Sequence, residues 1–419
     1  MRFIHAADVH LDSPLHGLSA YPDAPTELLR NATRRAFEAL VEHAIEEKVD
    51  FLVIAGDLYD GGWRDHNTGI FFCKQMGLLK KAGIPAFVLF GNHDAESEMT
   101  KKLQMPDNVR LFDTRKPQTH LIGDLNVALH GHSYKDKATF DNLVPGYPSP
   151  VPGCFNIGVL HTALGGYAAH QNYAPCSIDE LHAKGYDYWA LGHVHDYAIW
   201  QDKSTIVFPG NLQGRNIREQ GPKGAVMVTV AEDGSIDVEP FHVDVLRWQT
   251  VAVDAAPCAT LAEVAQAIGR ALEAMLESGP QKPHAVRVSI TGKSAAHGEL
   301  FGSEAQLREE VLAQIASIGN ERLWLEKVSV KTAPVTGHDD IEKRMDAIAD
   351  MQQLLEEASA DPDFLQQLQA EFAPFLAKLP HELFTAVPDL QSLKDGKFDA
   401  LVQDVSPGLL AHLAEGEKA

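Results

Sequence analysis

Cysteine is scarce in this chain. Cys73, Cys154, Cys176 and Cys258 are the only four, they stand far apart, and no two form a C-x-x-C pair. This excludes a disulfide frame and a thiolate zinc site, and fits reduced, partly buried thiols. Long apolar runs are missing too. None reaches the roughly 18 residues that a membrane-spanning helix needs, so no membrane association is expected. The opening Met1-Arg2-Phe3-Ile4-His5 enters a strand directly and lacks the layout of a signal peptide, which makes the cytoplasm the expected location. Positive charge is in short supply: 36 basic against 58 acidic residues give a net charge of -22. Such a chain does not coat nucleic acid by itself, because neutralising phosphates takes a basic surface. Local basic patches, divalent ions or a partner subunit would have to provide it. Neither an internal repeat nor a low-complexity segment is evident.

What is present points to a multi-domain globular protein. At 419 residues the chain is too long for one ordinary core, so two or three domains are expected. The 20 histidines are informative because several sit just after strands. Phe3 to Ala7 reads as a short strand ending in Asp8-Val9-His10-Leu11-Asp12. Residues i and i+2 of an extended chain point the same way, so Asp8 and His10 could grip one ion. Residues 26–48 have helical periodicity, and Asp50 to Ala55 is a second buried strand ending in Gly56-Asp57-Leu58-Tyr59-Asp60. This is a β-α-β unit with a right-handed crossover. A helix over 67–82, with Ile70, Phe71, Met76, Leu78 and Leu79 as its core face, leads to the run Ile84–Phe90 and the loop Gly91-Asn92-His93-Asp94. Loops at the carboxyl ends of open α/β sheets are where such proteins bind ligands.

The pattern continues. Phe155 to Leu160 delivers His161, and a short helix over 177–184 has Ser177 as N-cap. Tyr186 to Leu191 ends in Gly192-His193-Val194-His195. Asp233-Gly234 marks a hairpin between Val228–Val230 and Ile236–Val238. After about residue 250 the elements read β-α-β-α-β with no Asp/His loops, and from about 338 the chain is helical. There Ile341, Met345, Ile348, Leu355, Phe364, Leu368, Phe372, Phe375 and Leu379 form apolar stripes. These suit either packing on the protein itself or docking of a partner helix.

Taken together, Asp8, His10, Asp57, Asn92, His161, His193 and His195 supply two carboxylates, one amide and four imidazoles, with His93 beside them. They suffice for two ions if one carboxylate bridges. Mixed O and N donors without thiolate favour Mn, Fe or Zn over Ca. A two-ion site suits in-line displacement at phosphorus. His130-Gly131-His132 is a rival metal pair. His5, along the first strand, reads as a core residue. Asp12 and Asp60 fit either as partners of metal-binding histidines or as turn residues. Arg215, Arg218 and Lys223 are candidate phosphate contacts or a solvated loop; Tyr134 with Lys135 and Lys137 is a weaker version of the same idea.

The series Asp8-Val9-His10, Gly56-Asp57, Gly91-Asn92-His93-Asp94, His161 and Gly192-His193-Val194-His195 resembles, in order and spacing, that of the calcineurin-like metallophosphoesterases. Within them the chain is similar to bacterial DNA repair exonucleases related to Mre11 and SbcD, of the YhaO-like branch. That finer likeness rests on the stretch from Phe3 to Pro14, on Gly56 to Asp60, on Phe208-Pro209-Gly210-Asn211 and on 211–224. The resemblance implies an α/β fold: a phosphoesterase β-sandwich flanked by helices over 1–245, a small α+β capping domain over 250–335 and a helical C-terminal tail over 338–419. It implies that Asp8, His10 and His195 hold one metal and Asn92, His161 and His193 the other, with Asp57 bridging. His93 would act at the reacting phosphate and Asp94 would orient it. The implied activity is two-metal hydrolysis of DNA phosphodiesters, with Mn as the expected ion and Fe or Zn as alternatives. The implied partners are DNA, a Rad50- or SMC-like ATPase docked on the C-terminal helices, and a second copy of the chain. Mre11-type nucleases often have a His three residues after the bridging Asp; Asp60 stands there here. Hydrolysis of small phosphoesters, or a scaffold role in an ATPase complex, are the rival readings.

Overall fold

The computed structural model describes residues 1–15, 18, 26–60, 66–96, 104–137, 139–165, 173–318, 322–335, 347–380, 383–384 and 387–416. The chain divides into two compact units, 1–249 with 282–285, and 250–281 with 286–419.

The first unit is a sandwich of two six-stranded sheets. In one, β1 (Arg2–Ala6), β2 (Phe51–Ala55), β3 (Ala86–Leu89) and β4 (Val109–Leu111) run parallel. β11 (Gly224–Val230) and β12 (Ile236–His242) add antiparallel strands, giving the order β12-β11-β1-β2-β3-β4. In the other, β6 (Val127–Gly131), β7 (Phe155–His161), β8 (Tyr188–Gly192) and β10 (Thr205–Phe208) are parallel. β5 (Gln118–Ile122) and β9 (Ala198–Gln201) close its two edges antiparallel. The Asp233-Gly234 turn forms as expected: Val230 pairs with Ile236, and Gly234 takes φ +83°.

The apolar runs are continuous because the strands are covered on both faces. In β2, Phe51, Val53 and Ala55 face the inter-sheet core. There they join Phe3, Phe87 and Leu89 from their own sheet and Leu129, Ile157, Val159, Tyr188 and Val207 from the other. Leu52 and Ile54 alternate to the outer face, against α1 (Thr26–Glu46) and α2 (His66–Lys81). The outer face of the second sheet is covered partly by α3 (Ile178–Ala183), whose N-cap Ser177 forms a capping box with Glu180. One detail of the expected helix face is corrected. The buried stripe of α2 is Phe72, Met76 and Leu79, at three- and four-residue spacing, which turns Ile70 (61% exposed) and Leu78 (37%) outward.

A three-stranded sheet, β13 (Arg247–Asp254), β14 (His284–Lys293) and β15 (Leu323–Ala333), lies mostly in the second unit. It packs on α4 (Leu261–Ser278) and on the helix Glu304–Ile318 through Val264, Ile268, Leu272, Val286, Val288, Ile290, Leu307 and Val311. Helices Ala347–Ala360, Pro362–Leu376, Pro388–Lys394 and Phe398–Gly416 follow. Phe372 meets Phe398 at 5.7 Å between ring centroids, while Phe364 and Phe375 of the same stripe are exposed. Ile341 and Met345 lie outside the described residues. Among the described residues, no helix is long and apolar enough to cross a membrane.

Candidate metal centre

The loops that follow β1 and β2 continue the ladder beyond the sheet. The Asp8, His10 and Leu11 N–H groups donate to the carbonyls of Gly56, Asp57 and Leu58 at 3.0, 3.0 and 2.9 Å. Several expected ligands adopt a backbone conformation that L side chains rarely take. Asp8 (φ +49°), His10 (+46°), Asp57 (+51°) and His193 (+102°) all lie at positive φ. Four expected ligands thus carry backbone strain, the kind that persists only where surrounding structure over-determines it. Two glycines are fixed by close approach. A Cβ on Gly91 would stand 2.3 Å from Asp57 Oδ1, and one on Gly56 (φ +99°) would stand 2.2 Å from His161 Nδ1.

All seven expected metal ligands meet at the carboxyl ends of the two sheets. On one side Asp8, His10 and His195 bring their donor atoms within 4.8 Å of one another. His10 Nε2 faces His195 Nε2 at 3.4 Å, and His195 Nε2 lies 3.7 Å from Asp8 Oδ1. On the other side Asp57, His161 and His193 form a second cluster, and His161 Nε2 is 3.0 Å from Asn92 Oδ1. Asp57 lies between them: its Oδ2 is 3.4 Å from His161 Nε2 and 3.9 Å from His10 Nε2. Its Oδ1 accepts the His93 N–H at 2.9 Å, and both Asp8 oxygens accept the His193 N–H.

The donor set fits divalent ions. Two ring nitrogens face each other beside two carboxylates, and no thiolate is near, which suits Mn, Fe or Zn. Two bonds of about 2.1 Å span about 3.0–3.4 Å between donors, close to the separations above. The charges fit as well. Burial pushes the Asp8 carboxyl up. Burial acts on Asp57 in the same sense, but His161, His10 and His93 hold it well below the usual carboxylate range. Burial pulls His161 down, yet Asp57 and Asp8 raise it to about 9. A metal would replace that proton.

His93 sits at the rim with a third of its side chain exposed, its Nδ1 3.2 Å from Asp60 Oδ1. Burial lowers its pKa, but Asp60 and Asp57 outweigh this and raise it. Asp60 also accepts from Ser13 Oγ at 2.8 Å and approaches His10 Nδ1 at 3.6 Å. The carboxylate of Asp94 instead accepts the N–H groups of Leu58, Tyr59 and Gly91 at 3.1, 2.8 and 2.9 Å. Asp94 therefore ties the loops after β2 and β3 together, and Asp60 is the carboxylate against the His93 ring.

The remaining candidates separate. Lys223 is corrected as a surface contact: it is buried, and Nζ donates to the His195 carbonyl (2.6 Å) and to Asp196 (3.0 Å). Arg215 pairs with Glu219 at 2.9 Å and lies 3.9 Å from Asp60, while Arg218 is exposed. His5 is a core residue bonded to Tyr188 and Leu191, and burial lowers its pKa to about 3. His130 is hydrogen-bonded to Thr119 and Asn156, away from the ligand set. Asp12 forms a two-pronged bond to Arg34, 2.6 Å on each arm. Sequence reasoning missed Glu219. This buried carboxylate accepts from Asn211 Nδ2 (2.9 Å) and holds His195 Nδ1 at 2.9 Å, which fixes the ring so that Nε2 faces the metal side. Its only signal was its place in the segment 211–224.

Residues 1–197 match the calcineurin-like phosphoesterase family, and residues 248–333 match the family described as metallophosphoesterase YhaO, middle domain. An uncharacterized metallophosphoesterase YhaO of Bacillus subtilis (strain 168) is 32% identical over 296 residues, 70% of this chain and 72% of that protein. A DNA double-strand break repair protein Mre11 of Sulfurisphaera tokodaii is 25% identical over 267 residues, 60% of this chain and 65% of that protein. One of Methanopyrus kandleri is 28% identical over 212 residues, 46% of this chain and 44% of that protein. The chain thus spans less than two thirds of the length of either Mre11 protein.

Proposed function

Because this chain belongs to the calcineurin-like metallophosphoesterases, with YhaO among its relatives, we propose that it is a two-metal phosphodiesterase that hydrolyses DNA, an exonuclease of repair. The observation that carries this is the convergence of the expected donors: Asp8, His10 and His195 form one cluster, Asp57, His161 and His193 another, and Asp57 Oδ2 lies 3.9 Å from His10 Nε2 of the first. Asp8, His10 and His195 would hold one ion, Asn92, His161 and His193 the other, with Mn the expected metal. When bound, the ions supply a water of lowered pKa and a clamp on the phosphoryl oxygens. His93 has the placement and raised basicity of a proton donor to the departing oxygen. With Nδ1 engaged by Asp60, Nε2 is the nitrogen left for substrate.

The DNA reading draws on the Mre11 relatives and on exposed Arg218. In this reading 1–245 is the nuclease domain, 250–335 a cap, and the helices over 338–419 dock a Rad50- or SMC-like ATPase. The protein then works in the cytoplasm, as a homodimer. The net charge of -22 favours a second reading, hydrolysis of small phosphoesters. Turnover of linear duplex, single-stranded DNA and bis-p-nitrophenyl phosphate with Mn separates the two. His93→Ala and Asp57→Ala are each expected to abolish Mn-dependent cleavage in protein that still folds. Full activity in both variants would overturn the assignment.

A further inference from the structure

Beside the metal centre an aromatic ring is left open. Phe140 is 63% exposed. Single exposed apolar side chains are ordinary, but this one is built into a stack. Its ring lies on that of Tyr173, with centroids 5.5 Å apart and planes 24° apart. Tyr173 is buried and meets the ring of the expected ligand His193 edge-on at 5.8 Å. The backbone fixes both rings. The Ala174 N–H donates to the Thr139 carbonyl at 2.8 Å, and the Ala163 N–H donates to the Tyr173 carbonyl at 2.8 Å, two residues after His161. Beneath them Tyr134 is buried, its hydroxyl donating to the His161 carbonyl at 2.7 Å. The loop leading to Phe140 also carries Lys135, which is exposed, and Lys137.

We propose that Phe140, backed by Tyr173, is a stacking platform for an unpaired nucleobase next to the reacting phosphate. The proposal rests on the phosphodiesterase reading and names the part of the substrate that this edge of the site recognises. Two ring contacts, 5.5 and 5.8 Å between centroids, separate Phe140 from the expected ligand His193, so a base on Phe140 and a phosphate at that histidine lie within a few nucleotides of one strand. Nucleobases stack on exposed aromatic rings whatever their sequence, and flanking lysines engage the backbone phosphates. A face of this kind recognises single-stranded or frayed ends, since a paired base has no free face to offer.

The full chain is mixed with a single-stranded oligodeoxynucleotide containing 2-aminopurine, with EDTA present to stop turnover. Stacking quenches the probe. We expect Phe140→Ala to lose the quench and to bind about tenfold more weakly, while Phe140→Trp retains both. Quench and affinity equal to wild type in Phe140→Ala would overturn the platform. A second arm compares kcat/KM with Mn on normal and abasic strands. The ratio between them is expected to fall about tenfold in Phe140→Ala, and an unchanged ratio counts against the proposal. If wild type cleaves neither strand, the phosphodiesterase reading fails, and the quench still decides the platform.

Discussion

The two sheets of the first unit contribute differently to the same centre. The sheet containing β1, β2 and β3 carries every expected oxygen donor, Asp8, Asp57 and Asn92, together with His10. The sheet containing β7 and β8 supplies imidazoles alone, His161, His193 and His195. Neither edge is a complete site. The first has negative charge with one ring nitrogen, and the second has ring nitrogens with no carboxylate. Only when the sandwich closes does the Asp57 carboxylate meet His161, or the His193 N–H reach Asp8. Ion binding by these residues would therefore require the closed sandwich and would stabilise that closed state.

Breaking the seam between the sheets should have the largest effect. In Gly91→Ala the new Cβ would collide with Asp57 Oδ1 and come within 2.9 Å of His161 Cε1. It displaces a donor from each sheet at once, and about 100-fold loss of kcat/KM is expected, measured alongside a melting curve. Near-normal turnover would mean that the seam yields without cost. Weakening one sheet only should do less. Glu219→Ala frees His195 of the second sheet, and metal affinity is expected to fall about 10–100-fold in a chelator competition. Glu219→Gln, which can still engage Nδ1, should fall less. Equal losses in both variants would point to charge rather than ring orientation as the role of Glu219.

The smallest effect is calorimetric. The proton on His161 is held up to about 9 by the carboxylates of the opposite sheet. Below that pH the ring is charged and must lose its proton to bind metal, so affinity weakens as pH falls. At pH 7, titrations in buffers of different ionisation enthalpy should register release of about one proton from this ring. His161→Asn should remove that release. If it persists, the proton comes from elsewhere.

How much of this was legible in the sequence depends on range. The strands, the β-α-β order and the strand-end donors were legible because each rests on local periodicity and on two- to four-residue motifs. The Ser177 cap and the Asp233-Gly234 turn were read for the same reason. What escaped depends on closure of the fold. Lys223 carries a charge that suggests phosphate, yet the loop turns it under His195. Glu219 looked like one acidic residue among 58, and only the fold brings it to His195 and Arg215. Asp60 was visible as a departure from the nuclease pattern, but its pairing with His93 needed the loops after β2 and β3 side by side.

The hydrogen bonds from Asp8, His10 and Leu11 to Gly56, Asp57 and Leu58 have a consequence for motion. Functional loops are commonly drawn from the least stable parts of a protein, where local opening is easy. Here the ligand loops prolong the pairing of two central strands, so they cannot fray without starting to unzip the sheet. Their amide protons should exchange with solvent nearly as slowly as those of the core. The part of the centre formed by Asp8, His10 and Asp57 should therefore keep its shape whether or not an ion is bound.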